Sequence, residues 1–393
     1  MERVSTRLRP GITVLLLGYG ALCIYLLRPV QATGDGAAYV LQAVEGAPWL
    51  RSLHVGYLAP LTLWVRATEL VGFSAPMAAN LFAALWTGVA LVLAALLGAK
   101  LAPGPQGNAG GSSLLPLLAP ASLLAATSTW EAALYVEVYG PLATLILATT
   151  LAATVGRDRL ASALLAAAAL IHPGAWSMAP GLLLCAGLGP ERRSARIVGM
   201  ALLPWALVLA ALAPEWWSGT RGVLALPPAD RTPWQSMQGA WRLLSQDLGL
   251  AGAPLLLGLA YTWRLPSLSP GRRWPVGLLV LALGAAVGLD RYDDNPGQLP
   301  TIWMACCLAP CAAGWFGDLR HPPRRTLVQP LMIAFFVLCI ADATSKQDAR
   351  ARAIERQTED LRETCEPNSQ DSWAMRQRRQ LACLETGSSD TGR

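Results

Sequence analysis

A helical protein threaded many times through a membrane is the fold class this sequence predicts, and three observations predict it. Only 14% of its 393 residues are charged and 53% are hydrophobic, against about 25% charged in an ordinary soluble domain. Runs rich in Ala, Leu, Val and Gly recur from one end of the chain to the other, and runs of that kind need lipid as their solvent. None of them alternates apolar with polar residues. That excludes a closed β-barrel, whose strands would read as alternating segments of about ten residues.

Taken in order, the first apolar run covers 11–29 and follows the basic head "MERVSTRLRP". A signal peptide opens in the same way. Here "RPVQATGDG" is a poor cleavage site and the run is long enough to span, so it reads as a retained helix with its N-terminus in the cytoplasm. A weaker run at 55–72 contains Arg66 and Glu69. Further runs lie near 77–99, 114–130, 140–156, 159–171, 174–189, 197–214, 249–264, 276–289, 299–316 and 326–341. The net charge of +6 comes from Arg residues dispersed between these runs, so it reports topology and not nucleic-acid binding. Six of the eight cysteines (Cys23, Cys185, Cys306, Cys307, Cys311 and Cys339) lie in apolar runs and read as small packing residues. No Cys/His spacing suits zinc.

The 55–72 run decides the topology. If it lies flat on the outer surface, Lys100, "RDR" at 157–159, "ERRSAR" at 191–196, Arg264, "GRR" at 271–273 and "LRHPPRR" at 319–325 all face the cytoplasm. With the N-terminus, that side then holds 15 of the 31 basic residues. If 55–72 spans, the same clusters move outside, against the retention of positive charge on the cytoplasmic side. The flat reading gives about 11 spanning helices with an interfacial helix in the first outer loop. It divides the chain into a transmembrane domain, 1–341, and a short extracytoplasmic tail, 342–393. The tail's mixed charges suit a solvated helix, and its last residues should be disordered. Cys365 and Cys383, the two cysteines outside apolar runs, would face an oxidising compartment there and pair.

On this topology a polar group collects at the outer face. Asp35 follows the first helix, Glu131 and Glu137 arrive from a later one, and His54, His172 and Arg291 fall nearby. Carboxylates at a water–lipid boundary can take a proton from a hydroxyl or hold a metal, and an Arg can hold an anionic headgroup.

Four stretches then carry a family resemblance. They are "GDGAAYVLQAVEGA", "HVGYLAPL", "STWEAALYVEVYGPLATLIL" and "RYDDNPGQLPTIWMA". In order and spacing they resemble the motifs of the GT-C membrane glycosyltransferases, in the bacterial branch related to protein O-mannosyltransferases. "LIHPGAWSMAPGLLL" is a weaker echo. The resemblance implies a GT-C-like bundle and an enzyme that moves a sugar from a polyprenyl-phosphate donor to a hydroxyl on a protein, lipid or glycan, with inversion. It implies Asp35 as the base, Glu137 as the second acid, and His54, Tyr57, Arg291 and Tyr292 as substrate-binding residues. A divalent cation is possible and otherwise the cofactor is open. The implied location is the bacterial inner membrane, multi-pass, with the C-terminus extracytoplasmic. Gly36 departs from relatives, many of which carry Ser or a second acid after the Asp. A polyprenyl-phosphate donor already has a good leaving group, so the enzyme must add a base for the acceptor and positive charge or dipoles for the departing phosphate. A flat segment at 55–72 would let a lipid donor enter sideways.

Each residue also has a plainer reading. Asp35 fits a helix N-cap. Glu131 fits a solvated helix end, Glu137 a structural ion pair, His54 an interfacial anchor and His172 a helix-end residue. Arg66 and Glu69 fit a local i,i+3 pair. Asp290, Asp293 and Asp294 fit a solvated turn better than a metal site, which needs converging ligands. Trp216 and Trp217 fit an interfacial belt. A secondary transporter or lipid flippase is the competing function. It predicts ionisable groups buried in mid-helix and repeated halves. A catalytically inactive partner protein is the third.

Overall fold

The computed structural model describes residues 2–26, 35–45, 54–101, 115–172, 175–176 and 193–211, with shorter pieces between 232 and 249 and between 334 and 356. Arg291, Tyr292, the 290–294 aspartates, Trp216, Trp217, the Cys365–Cys383 pair and the apolar runs from 249 to 316 lie outside the described residues.

Among the described residues the regular elements are helical. They are α1 (Glu2–Leu26), α2 (Asp35–Glu45), α3 (Val55–Glu69), α4 (Ala75–Leu101), α5 (Leu118–Ala125), α6 (Thr127–Leu134), α7 (Tyr139–Thr154), α8 (Asp158–Ile171) and α9 (Arg193–Ala211). A short 3-10 turn, Leu115–Leu117, leads into α5, and 337–349 is also helical. Helix α4 is the hub and packs on α1, α3, α5, α6 and α7. Helix α7 in turn packs on α8, and α8 on α3 and α9.

The local reasons for these helices are simple. Helix α4 is an unbroken apolar segment with Pro76 in its first turn, where the missing N–H has no partner to lose. At 27 residues it is about 40 Å long. Among the described residues it is the one helix long and apolar enough to cross a membrane by itself. Helix α8 is rich in Ala, a strong helix former, and opens on Asp158, whose charge opposes the positive helix end. Helix α1 buries Tyr19, Cys23 and Leu26 while Val14, Leu17 and Ile24 stay exposed. The buried set has i, i+4, i+7 spacing, one face of a helix. The Tyr19 hydroxyl donates to the Ala84 carbonyl at 2.8 Å, tying α1 to α4.

Helix α3 is 15 residues long, or about 22 Å, short of the roughly 30 Å hydrocarbon core. It buries Tyr57, Leu58, Leu61 and Val65 and exposes Leu63, Arg66, Glu69 and Leu70. Trp64 Nε1 donates to the Ala78 carbonyl at 2.7 Å, fixing α3 against the start of α4. The turn between them passes through Gly72, whose φ of 89° favours glycine. Arg66 and Glu69 are both exposed, and no ion pair joins them among the described residues.

The apolar run at 114–130 does not form one helix. Ala126 is extended, with φ −83° and ψ 131°, and separates α5 from α6. Thr127, Ser128 and Thr129 follow, and such residues compete for backbone partners and favour helix starts. Helix α6 ends where Tyr135 is again extended. Helices α6 and α7 are long and apolar enough to span a membrane only as a pair, and they are bent by 113° at the break.

Candidate active site at one end of the bundle

Four chain breaks meet at one end: the start of α2, the start of α3, the α6–α7 break and the end of α8. His54 is the N-cap residue of α3. Its carbonyl accepts from the Tyr57 and Leu58 amides at 2.8 and 3.0 Å. Its Nδ1 lies 2.7 Å from the Ile171 carbonyl at the end of α8. A carbonyl only accepts, so Nδ1 carries a proton and donates to it. Gly56 makes this docking possible. A Cβ there would lie 2.8 Å from the Leu170 carbonyl carbon and 2.9 Å from the Ile171 nitrogen.

The His54 ring stacks on His172, with centroids 5.4 Å apart and planes 10° from parallel. His172 is the first residue past α8, with extended backbone. Burial, and then the neighbouring His54, push its pKa down from 6.5 to about 4, so it is neutral at neutral pH. Tyr139 tilts against His172 at 5.4 Å. On the other side, Tyr39 of α2 meets His54 edge-on at 5.9 Å and Tyr57 at 5.4 Å. Tyr57 packs on Phe82 of α4 at 5.9 Å. A continuous series of rings therefore runs from α4 through α3 and α2 to α8 and α7.

Glu137 sits in the α6–α7 break, half-buried, close enough to Tyr57 to disfavour the phenolate. Burial and the Glu137 charge together hold the Tyr57 hydroxyl well above its ordinary pKa, hence protonated. Asp35 is the first residue of α2. Its neighbour Gly36 is pressed against the Val136 carbonyl, where a Cβ would collide with that oxygen. The start of α2 therefore abuts the segment that carries Glu137. This close approach gives the glycine after Asp35 a physical reason. The alternating break-and-helix pattern thus assembles the Glu137 carboxylate, two imidazoles and several phenols at one end, with Arg157 and Arg159 at the far ends of α7 and α8.

Of the residues predicted from sequence, His54, Tyr57, Glu137 and the start of α2 at Asp35 are brought together. Arg291 and Tyr292 lie outside the described residues. His172, read from sequence as a helix-end residue, is a direct neighbour of His54. Tyr39 and Tyr139 were not singled out. The sequence signal for them is position alone: Tyr39 lies one helical turn after Asp35, and Tyr139 lies two residues after Glu137. Among the described residues no three His, Cys, Asp or Glu side chains converge as a metal site.

The fold has solved counterparts. The chain superposes on ArnT from Cupriavidus metallidurans in the apo state with a TM-score of 0.59, at 16% identity, over 84% of this chain and 64% of that one. It superposes on the same protein bound to undecaprenyl phosphate with a TM-score of 0.61, at 16% identity, over 92% and 66% respectively. The fold is that of ArnT. At this identity the likeness establishes the fold alone, and the chain spans slightly under two thirds of the length of the ArnT chains. No family model matches the sequence, and no curated protein matches it.

Proposed function

We propose that the protein is an integral-membrane glycosyltransferase. It transfers a sugar from a polyprenyl-phosphate donor to a hydroxyl acceptor at the extracytoplasmic side of the bacterial inner membrane. In the proposed step the acceptor oxygen bonds to the anomeric carbon as the bond to the donor phosphate breaks, with inversion. Asp35 takes the acceptor's proton. Glu137 holds the reacting groups in place. His54 and Tyr57 line the sugar site, and Arg291 and Tyr292 hold the departing phosphate.

The observation that carries this reading is the meeting of the α2 start with the Glu137 segment through Gly36 and Val136. Gly36 follows Asp35 and Val136 precedes Glu137, so this contact, at the end of the bundle where His54 and His172 stack, supports reading the two acids as one site. The GT-C fold supports it, and the solved ArnT complex with undecaprenyl phosphate supports a donor of that class.

The test is turnover by purified protein in lipid nanodiscs supplied with undecaprenyl-phosphate sugars and hydroxyl acceptors. Asp35→Asn keeps the size of the side chain and its ability to cap a helix, but it cannot accept the proton. We expect normal folding with turnover lowered roughly 10²–10⁴-fold. A pure cap role predicts little loss, since Asn caps about as well as Asp. Near-wild-type transfer by well-folded Asp35→Asn rejects Asp35 as the base.

A further inference from the structure

The α6 helix is gripped from two distant parts of the chain. The Ser128 amide donates to Asp247 Oδ1 and the Ser128 hydroxyl to Oδ2, both at 2.6 Å. The Gln347 side-chain amide donates to the Thr127 carbonyl at 3.3 Å. The N-cap residue of α6 is Ala126, which has no side chain able to cap. Asp247 supplies that function from 119 residues away. A helix of eight residues is marginal without outside support, and the 113° bend means α7 does not fix its direction by continuation. Glu137 stands three residues past its end.

We propose that Asp247 is a positioning residue for Glu137, acting through α6. This rests on the functional reading of Glu137 given above. The carboxylate satisfies the free amide at the start of α6 and neutralises the positive end of that helix. It thereby sets where the short helix ends and where the Glu137 segment begins. Partial burial raises the Asp247 carboxyl to about 6, the Ser128 bonds oppose that rise, and the Glu131 charge on the same helix adds to it. At neutral pH the carboxylate is thus mainly ionised and accepts both bonds.

The experiment uses the full chain in nanodiscs and two readouts. Amide exchange is followed over 127–138 and over 80–95 in α4 as a control. Asp247→Ala should speed exchange over 127–138 at least ten-fold and leave α4 unchanged. Asp247→Asn keeps an oxygen for the Ser128 amide and should preserve protection. Unchanged exchange over 127–138, or equal acceleration in both segments, overturns the proposal.

Turnover of undecaprenyl-phosphate sugar supplies the second readout. Asp247→Ala should lower kcat roughly ten-fold with KM for the donor nearly constant, Asp247→Asn should rescue it, and in a Glu137→Gln background Asp247→Ala should cost nothing further. An equal loss in both backgrounds makes Asp247 merely structural and overturns the proposal. Wild-type protein that transfers no sugar removes the role towards Glu137 together with the proposed function. The exchange data still show in that case whether Asp247 holds α6.

Discussion

His172 carries the clearest electrostatic consequence at the level of single residues. Its folded pKa is about 4, lowered by burial and by His54, while an exposed His titrates near 6.5. The unfolded chain therefore binds more protons than the folded one between these values, and stability falls as pH drops from about 6.5 towards 4. From pH 7 to pH 5 the loss is on the order of 2 kcal/mol. Asp247 works in the opposite direction. Its raised pKa of about 6 makes the folded state bind more protons from about pH 6 down to 4, so acid favours folding there. A wild-type melting curve mixes the two. His172→Phe keeps a ring against His54 and Tyr139 but cannot ionise. Its thermal midpoint should fall less than that of the wild type between pH 7 and pH 5, and equal falls would refute the low pKa. The sequence made the carboxylates Asp35 and Glu137 visible because acids are rare in so apolar a chain. It hid the His54–His172 stack, because nothing in the 117 intervening residues marks two rings as neighbours.

At the level of elements, packing of backbone on backbone fixes the site. Helix α2 reaches the α6–α7 break only because residue 36 has no side chain. Gly36→Ala would push the start of α2 away from Val136, and overpacking of this kind costs about 1–3 kcal/mol. Gly199→Ala in α9 is the control, since a Cβ there meets nothing within 4 Å and helix propensity gains about 1 kcal/mol. The expected result is a lowered thermal midpoint and lowered turnover for Gly36→Ala, with neither in Gly199→Ala. A Gly36→Ala protein as stable and active as wild type would show that the close approach is not needed. The apolar runs at 77–99, 140–156 and 159–171 foretold α4, α7 and α8 within a few residues, because continuous apolar sequence specifies a buried helix. The run at 114–130 misled. Hydropathy does not register the Thr-Ser-Thr start of α6, nor the capping Asp247 that arrives from far along the chain.

At the level of the whole molecule, the close approaches that build the site gather at one end, where residue 54 meets 171 and 172 and residue 36 meets 136. The basic residues Arg157 and Arg159 sit in the α7–α8 turn at the other end, and Lys100 lies in the last turn of α4. Separation of this kind follows if a membrane lies between the two ends, with the basic end retained in the cytoplasm. Sequence predicts this polarity from the distribution of Lys and Arg, whereas the bends that build the site depend on contacts between distant residues. The polarity can be tested without any substrate. Single cysteines placed in the 157–159, 191–196 and 319–325 loops should resist an impermeant thiol reagent in intact cells and react after permeabilisation. A cysteine at Thr232, in the segment that leads to Asp247, should react in intact cells. Labelling of the 191–196 loop from outside would reverse the orientation. Helix α3 would then have to cross the membrane, although at about 22 Å it is too short to do so without thinning the bilayer, and Glu137 would face the cytoplasm. A polyprenyl-phosphate donor presented at the outer surface could not reach the site in that arrangement, so this one measurement bears on the helix count, the place of α3 and the proposed reaction together.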